Sequence, residues 1–354
     1  MTFCKSFSCR LISLPFRHET GFITDFGDSK KLLNVKCLFQ TRARTFMIKK
    51  NNDKSSTKGS TVKNVLPAQE HGGHPITLTR LWKSFTFTAA FSAGTYALCA
   101  IWQYENSRKR NQSLMESSTR KIWTNWHTKK HFSWREELNK QWNKLTHAEK
   151  LFSVLCFTNI LVYLAWKRPK FESTMIKYFS SNPSSGAVCW PLLFSTFSHY
   201  SIVHLALNMF ILYSFSDVAM FDLGIEQFLA LYLTGGVFSS YVSLFFRALR
   251  QRPMSSLGAS GAIFTLIGYV SVKYPDLRVS VIFLPMYTFS ALTALKAICL
   301  LDFVGLVLGW RALDHAAHLG GVIFGIFWCN SGKSLIWEKK DSFIRWWDEL
   351  RRAE

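Results

Sequence analysis

The chain has 354 residues and a formal charge of +21, from 43 Lys and Arg against 22 Asp and Glu. Its apolar residues gather into long blocks flanked by the basic ones. That excludes a pair of soluble domains and reads the charge as membrane-surface and topology charge, not as a nucleic-acid footprint. The eight cysteines form no C-x-x-C pair and three lie inside apolar spans, which argues against zinc and against a disulfide framework.

Residues 1–80 read as targeting and tether sequence. Lys5, Arg10 and Arg17 punctuate a Ser-, Phe- and Leu-rich start with no acid before Glu19, the composition of a mitochondrial transit peptide. Residues 48–78 are polar and poor in aromatics, so disorder is expected there. Residues 81–104 hold the first apolar span, 84–102, with Trp82 and Trp102 as interfacial anchors. The polar segment 105–149 follows, and the Trp and Leu spacing of 123–145 suggests an amphipathic helix on a membrane surface. Its His127 and His131 stand at i,i+4, but nothing nearby completes a metal site, so a solvated face is expected.

Residues 150–330 carry six further spans: 151–166, 201–215, 227–246, 257–272, a helix at about 289–310 after a re-entrant or strand-like piece from 279, and 313–328. The loop 167–190 should be irregular, and residues 331–354 read as a basic C-terminal tail. The expected fold is therefore an all-α polytopic membrane protein of seven spans, arranged as one plus six.

Three polar clusters interrupt the apolar spans. Ser260 lies between Gly258 and Gly261 at the start of an apolar run, where free helix N–H groups can stabilise an oxyanion. The same Leu257-Gly258-Ala259-Ser260-Gly261-Ala262-Ile263-Phe264 stretch also suits plain helix packing. His204 and Asn208, at i,i+4, share one helix face and serve either as interhelical hydrogen-bond glue or as oxyanion donors. Asp314-His315-Ala316-Ala317-His318-Leu319-Gly320-Gly321 is followed by Gly325, and Gly321 and Gly325 form G-x-x-x-G, a close-approach face beside a histidine.

GASGAIF, H-x-x-x-N from His204 to Asn208 and A-H-L-G-G from Ala317 to Gly321 together resemble the rhomboid intramembrane serine proteases over about residues 150–330. The additional span, the transit-like start and the fuller stretches TFSHYSIVHLALNMF and DHAAHLGGVIFG resemble that family's mitochondrial presenilin-associated rhomboid-like branch. The resemblance implies a rhomboid six-helix core with one extra N-terminal transmembrane helix and a Ser–His dyad. Ser260 would be the nucleophile and His318 the base, with His204 and Asn208 holding the oxyanion beside the Ser260 N–H. Gly258, Gly261 and Phe264 would support them, Phe264 as the ring on which the imidazole stacks. His315 and Asp314 are the rivals for base and orienting acid, with helix capping the expected role of Asp314. The loop carries Cys189-Trp190-Pro191 where many bacterial members have Trp-Arg, so loop contacts do not transfer. The resemblance further implies single-span substrates of the mitochondrial inner membrane, contact with membrane lipids, a part in mitophagy, and no metal or cofactor. The other readings are a non-catalytic rhomboid-like escort of membrane helices and a transporter or channel, which would call for an inverted repeat or a charged pathway. Seven spans with the N-terminus in the matrix would open Ser260 toward the matrix and leave the C-terminus in the intermembrane space.

Overall fold

A computed structural model describes residues 74–120, 134–281 and 284–353. The transit-like start and the His127/His131 pair lie outside the described residues. The helices are α1 (Leu78–Arg120), α2 (Trp134–Lys144), α3 (His147–Trp166), α4 (Glu172–Tyr178), α5 (Trp190–Phe194), α6 (Ile202–Leu249) and α7 (Ser260–Lys273). After them come the antiparallel strands β1 (Arg278–Val281) and β2 (Leu284–Ser290), then α8 (Ala291–Leu308), α9 (His315–Phe327) and α10 (Asp341–Ala353).

Local chemistry sets the helix ends. At α3 the Thr146 hydroxyl accepts from the Glu149 N–H (3.1 Å) while the Glu149 carboxylate accepts from the Thr146 N–H (2.8 Å), a capping box just before the apolar run. Ser290 caps α8, and that helix stops at Gly309, whose left-handed φ of 71° suits glycine. The chain reverses inside α6. Forty-eight residues in one straight helix would measure ~72 Å, yet both ends lie beside the Ser260 turn. Near the start, His199 accepts from the Ala259 N–H, and near the end Arg247 donates to the Met254 carbonyl. The reversal sits at Gly224, with φ 74° and ψ 167°. The spans read as 201–215 and 227–246 thus run on almost to this break from either side. Ser216 does not interrupt the first, because its hydroxyl bonds back to the Leu212 carbonyl.

Two other boundaries differ from the sequence reading. Helix α1 continues to Arg120, well past the span's end at 102, since no Pro or Gly lies between 103 and 120. Two of its polar residues also have partners, Tyr104 donating to Asp348 and Asn106 to Glu226 (2.8 Å). The basic tail is helical: a π-helical stretch, Trp328–Trp337, extends α9, and α10 returns to α1. The piece from 279 is indeed a hairpin, with Arg278 opposite Ser290, and α8 begins at Ala291. Among the described residues, five helices are long and apolar enough to cross a membrane, within Leu78–Glu116, His147–Trp166, Ile202–Leu249, Ala291–Leu308 and His315–Trp337. α7 is shorter, so helix length alone does not yield the one-plus-six count.

α7 forms the centre, with ten of its fourteen residues buried. α9 packs on it through glycine. A Cβ on Gly321 would collide with the Gly261 carbonyl, and one on Gly325 with the Thr265 carbonyl. That is the close approach expected of the G-x-x-x-G face.

Candidate active site

The glycine contact between α7 and α9 brings two distant residues together. Ser260 opens α7 and His318 lies one turn into α9. The Ser260 Oγ is 3.1 Å from His318 Nε2. The imidazole stacks on Phe264, with ring centroids 4.0 Å apart and planes 4° from parallel. Ser260 is half-buried and His318 is 6% exposed. His315 reaches no such position. Of the two histidines, His318 is the one within hydrogen-bond distance of the serine.

The other nitrogen of His318 meets a residue that motif reading missed. Asp302, on α8 and 3% exposed, accepts from His318 Nδ1 at 3.1 Å through Oδ1. The same oxygen accepts from His315 Nδ1 at 2.6 Å. A carboxylate only accepts, so each Nδ1 carries a proton, and the neutral His318 ring then presents its Nε2 lone pair to Ser260. One signal for Asp302 existed: it is the only acid in the apolar α8, and an ionisable residue at such depth invites a functional reading.

Asp314 caps α9, accepting from the Ala317 N–H at 3.1 Å. It also accepts from the hydroxyls of Ser243 and Ser256, so it joins α6, α9 and the loop before Ser260. Burial acts to raise this carboxyl, but the Arg247 guanidinium and the three donors outweigh it and hold it below its usual range. Asp314 is therefore a cap and a loop anchor, remote in role from the base.

His204 lies at the Ser260 turn, and Asn208, one turn on, is bonded to the His204 carbonyl. Gly258 has φ 140°, and a Cβ there would strike the His204 ring, so the glycine seats the ring against the serine turn. Asn208 donates to His199 Nε2 (3.2 Å) and to the His204 carbonyl (3.0 Å), which commits its amide N–H groups. His199, fully buried, also accepts from the Ala259 N–H at 3.3 Å. It ties the residue before the serine to the start of α6, a part that the histidine-rich run did not disclose. Ala259 gives α7 no side-chain cap, so that end lacks the partner such a residue supplies and suits an anion. Among the described residues, no group of three or more His, Cys, Asp or Glu is arranged to hold a metal ion.

Residues 187–330 match the Rhomboid domain family. The chain is 39% identical over 323 residues to the mitochondrial presenilin-associated rhomboid-like protein of Rattus norvegicus, an alignment covering 90% of this chain and 86% of that protein. The Homo sapiens protein of the same name is 42% identical over 277 residues, 78% of this chain and 73% of its own. Rhomboid protein 1, mitochondrial, of Saccharomyces cerevisiae is 31% identical over 185 residues, covering 52% and 53%.

Proposed function

The chain belongs to the rhomboid family, and from that premise we propose that it is an intramembrane serine endopeptidase of the mitochondrial inner membrane that cleaves single-span proteins in or near their membrane segment. The observation that carries this reading is the Ser260–His318 contact of 3.1 Å, with the imidazole clamped against Phe264.

The chemistry runs as acyl transfer. Ser260 Oγ attacks the scissile carbonyl carbon while its proton passes to His318 Nε2. The C–O bond that forms leaves a tetrahedral oxyanion, which the Ser260 N–H and His204 receive. Asn208 joins them by exchanging its bond to His199 for one to the substrate. His318 then returns the proton to the leaving amine as the C–N bond breaks. Water, deprotonated by the same ring, releases the acyl group and restores the serine. The reaction needs no metal or cofactor.

Helix length supports an intramembrane site. At ~1.5 Å per residue, the fourteen residues of α7 reach roughly 21 Å. The hydrocarbon core is ~30 Å thick, so a helix seated at one face ends roughly 9 Å short of the other. Ser260, at the short end, would meet a membrane segment below the surface. A helix must open there to expose a peptide bond, so helix-weakening residues near the cut are expected.

The test is cleavage of a single-span substrate by purified protein in proteoliposomes. Ser260→Ala and His318→Ala should each abolish turnover while remaining monodisperse. Turnover unchanged by Ser260→Ala would overturn the protease reading and return the chain to the class of membrane-helix escorts.

A further inference from the structure

His315 has no part in the reaction as written, yet its placement is specific. It is 4% exposed, at the first turn of α9, three residues before His318 and on the same face. Its Nδ1–H donates to Asp302 Oδ1 at 2.6 Å, shorter than the 3.1 Å bond from His318 to the same oxygen. The facing α8 is cut away to admit it: any Cβ on Gly305 would collide with the His315 ring. Trp310 flanks the ring with centroids 6.2 Å apart. A buried carboxylate in an apolar helix needs hydrogen-bond donors to satisfy it and hold it in place. His318 alone supplies one, and during turnover its ring must also exchange protons with Ser260. A second, non-reacting donor holds the acceptor still while the first changes state.

We propose that His315 is a positioning residue for the catalytic base. It fixes the Asp302 carboxylate, and through it sets the tautomer and angle at which His318 faces Ser260. The unit is a four-member line, Ser260–His318–Asp302–His315, in which α8 supplies the acid and α9 both imidazoles. The inference rests on the protease reading above.

The experiment measures kcat and KM in proteoliposomes for the full chain and the variants His315→Leu and His315→Asn, with Ser260→Ala as the blank. Asn places an amide N–H close to where the imidazole Nδ1–H lies, whereas Leu fills the space and donates nothing. Leu should lower kcat about tenfold or more with KM unchanged, part of the 10²–10⁴ that positioned base catalysis contributes. Asn should restore kcat to within a few-fold of the parent. If Leu retains the parental kcat, or if Asn is as slow as Leu, the donor role is overturned, because space-filling rather than hydrogen bonding would then govern the site. If the parent chain itself shows no Ser260-dependent cleavage, it is the protease reading that fails. Asp302→Asn belongs in the same series and should be at least as slow as His315→Leu, since its amide can donate to His318 Nδ1 and invert the tautomer. An Asp302→Asn variant with parental kcat also overturns the proposal.

Discussion

His204 and Asn208 sit on one face of α6 but have different commitments, and this separates their expected phenotypes. The His204 ring lies against Gly258 at the serine turn. Asn208 is already bonded to His199 and to the His204 carbonyl. His204→Ala should lower kcat by about 10²–10³ with little change in KM, the range typical of a lost oxyanion donor. Asn208→Ala should cost less in kcat and should also reduce thermal stability, because it removes the amide's bonds to His199 and to the His204 carbonyl in a buried site. Kinetics and melting of the two variants check this, and equal kcat losses would mean that Asn208 is as direct a donor as His204. The histidine, the serine and the His/Asn pair were legible in sequence because each sits in a local motif whose spacing is itself the signal. Asp302 was not, because its partners lie 13 and 16 residues away across a helix–helix contact. Nothing adjacent to it marks it. Its solitude as an acid in an apolar span was the available clue.

Helices α7 and α9 carry Ser260 and His318, and their separation is set by absent side chains. A Cβ on Gly321 would press on the Gly261 carbonyl and on the Cβ of Phe264, whose ring stacks on the imidazole. Gly321→Ala should therefore push α9 outward, at about 1–3 kcal/mol for overpacking, and lengthen the Ser260–His318 contact. Activity should fall further than stability does. Gly94, in α1, is the control: a Cβ there meets nothing within 4 Å. Gly94→Ala should leave kcat at the parental value and hold or raise the melting temperature, since alanine is favoured over glycine inside a helix by about 0.5–1 kcal/mol. Loss of activity in both variants would mean that the glycine contact is not what aligns the site. The sequence disclosed this contact through G-x-x-x-G, a pattern with a direct steric meaning. It placed a reversal between 215 and 227 without fixing it at Gly224, and it did not disclose the helical path of 328–353. A lone glycine among helix formers carries no such pattern, and the polarity of α10 resembles that of a disordered tail until its contacts with Tyr104 and Glu105 are known.

At the scale of the whole molecule, the hydrogen bonds sort the described elements into two ends. Arg80 and Ser84, early in α1, bond to the carbonyls of Ser185 and Val188. Ser181 pairs with Ser256, four residues before Ser260. The start of α1, the loop after α4 and the Ser260 turn thus share one end. The other end holds the Gly224 reversal, where Asp222 faces Lys273 (3.7 Å) and Lys333 (3.5 Å), and where Glu226 accepts from Asn106. The C-terminal α10 contacts α1 at Tyr104 and Glu105, near Asn106, and so belongs to this second end. Alternating spans demand this division, and it makes orientation a single binary question. Lys167, Arg168, Lys170, Arg247, Arg250 and Arg252 follow or precede short spans at the serine end, and short-loop basic residues favour the side from which a protein inserts. An N-terminus delivered to the matrix agrees with them. The basic 105–149 segment opposes this orientation, but charge within a long polar segment orients spans weakly and can bind anionic lipid instead. Under the proposed orientation, Ser260 opens to the matrix and α10 lies on the intermembrane side. In mitoplasts, a tag after residue 353 should be digested by added protease, while a tag within 250–256 should be protected until detergent is added. The reverse pattern would place the active site toward the intermembrane space and the N-terminus with it. Digestion of both tags would break the two-ended division itself, since the serine turn and α10 would then share a compartment.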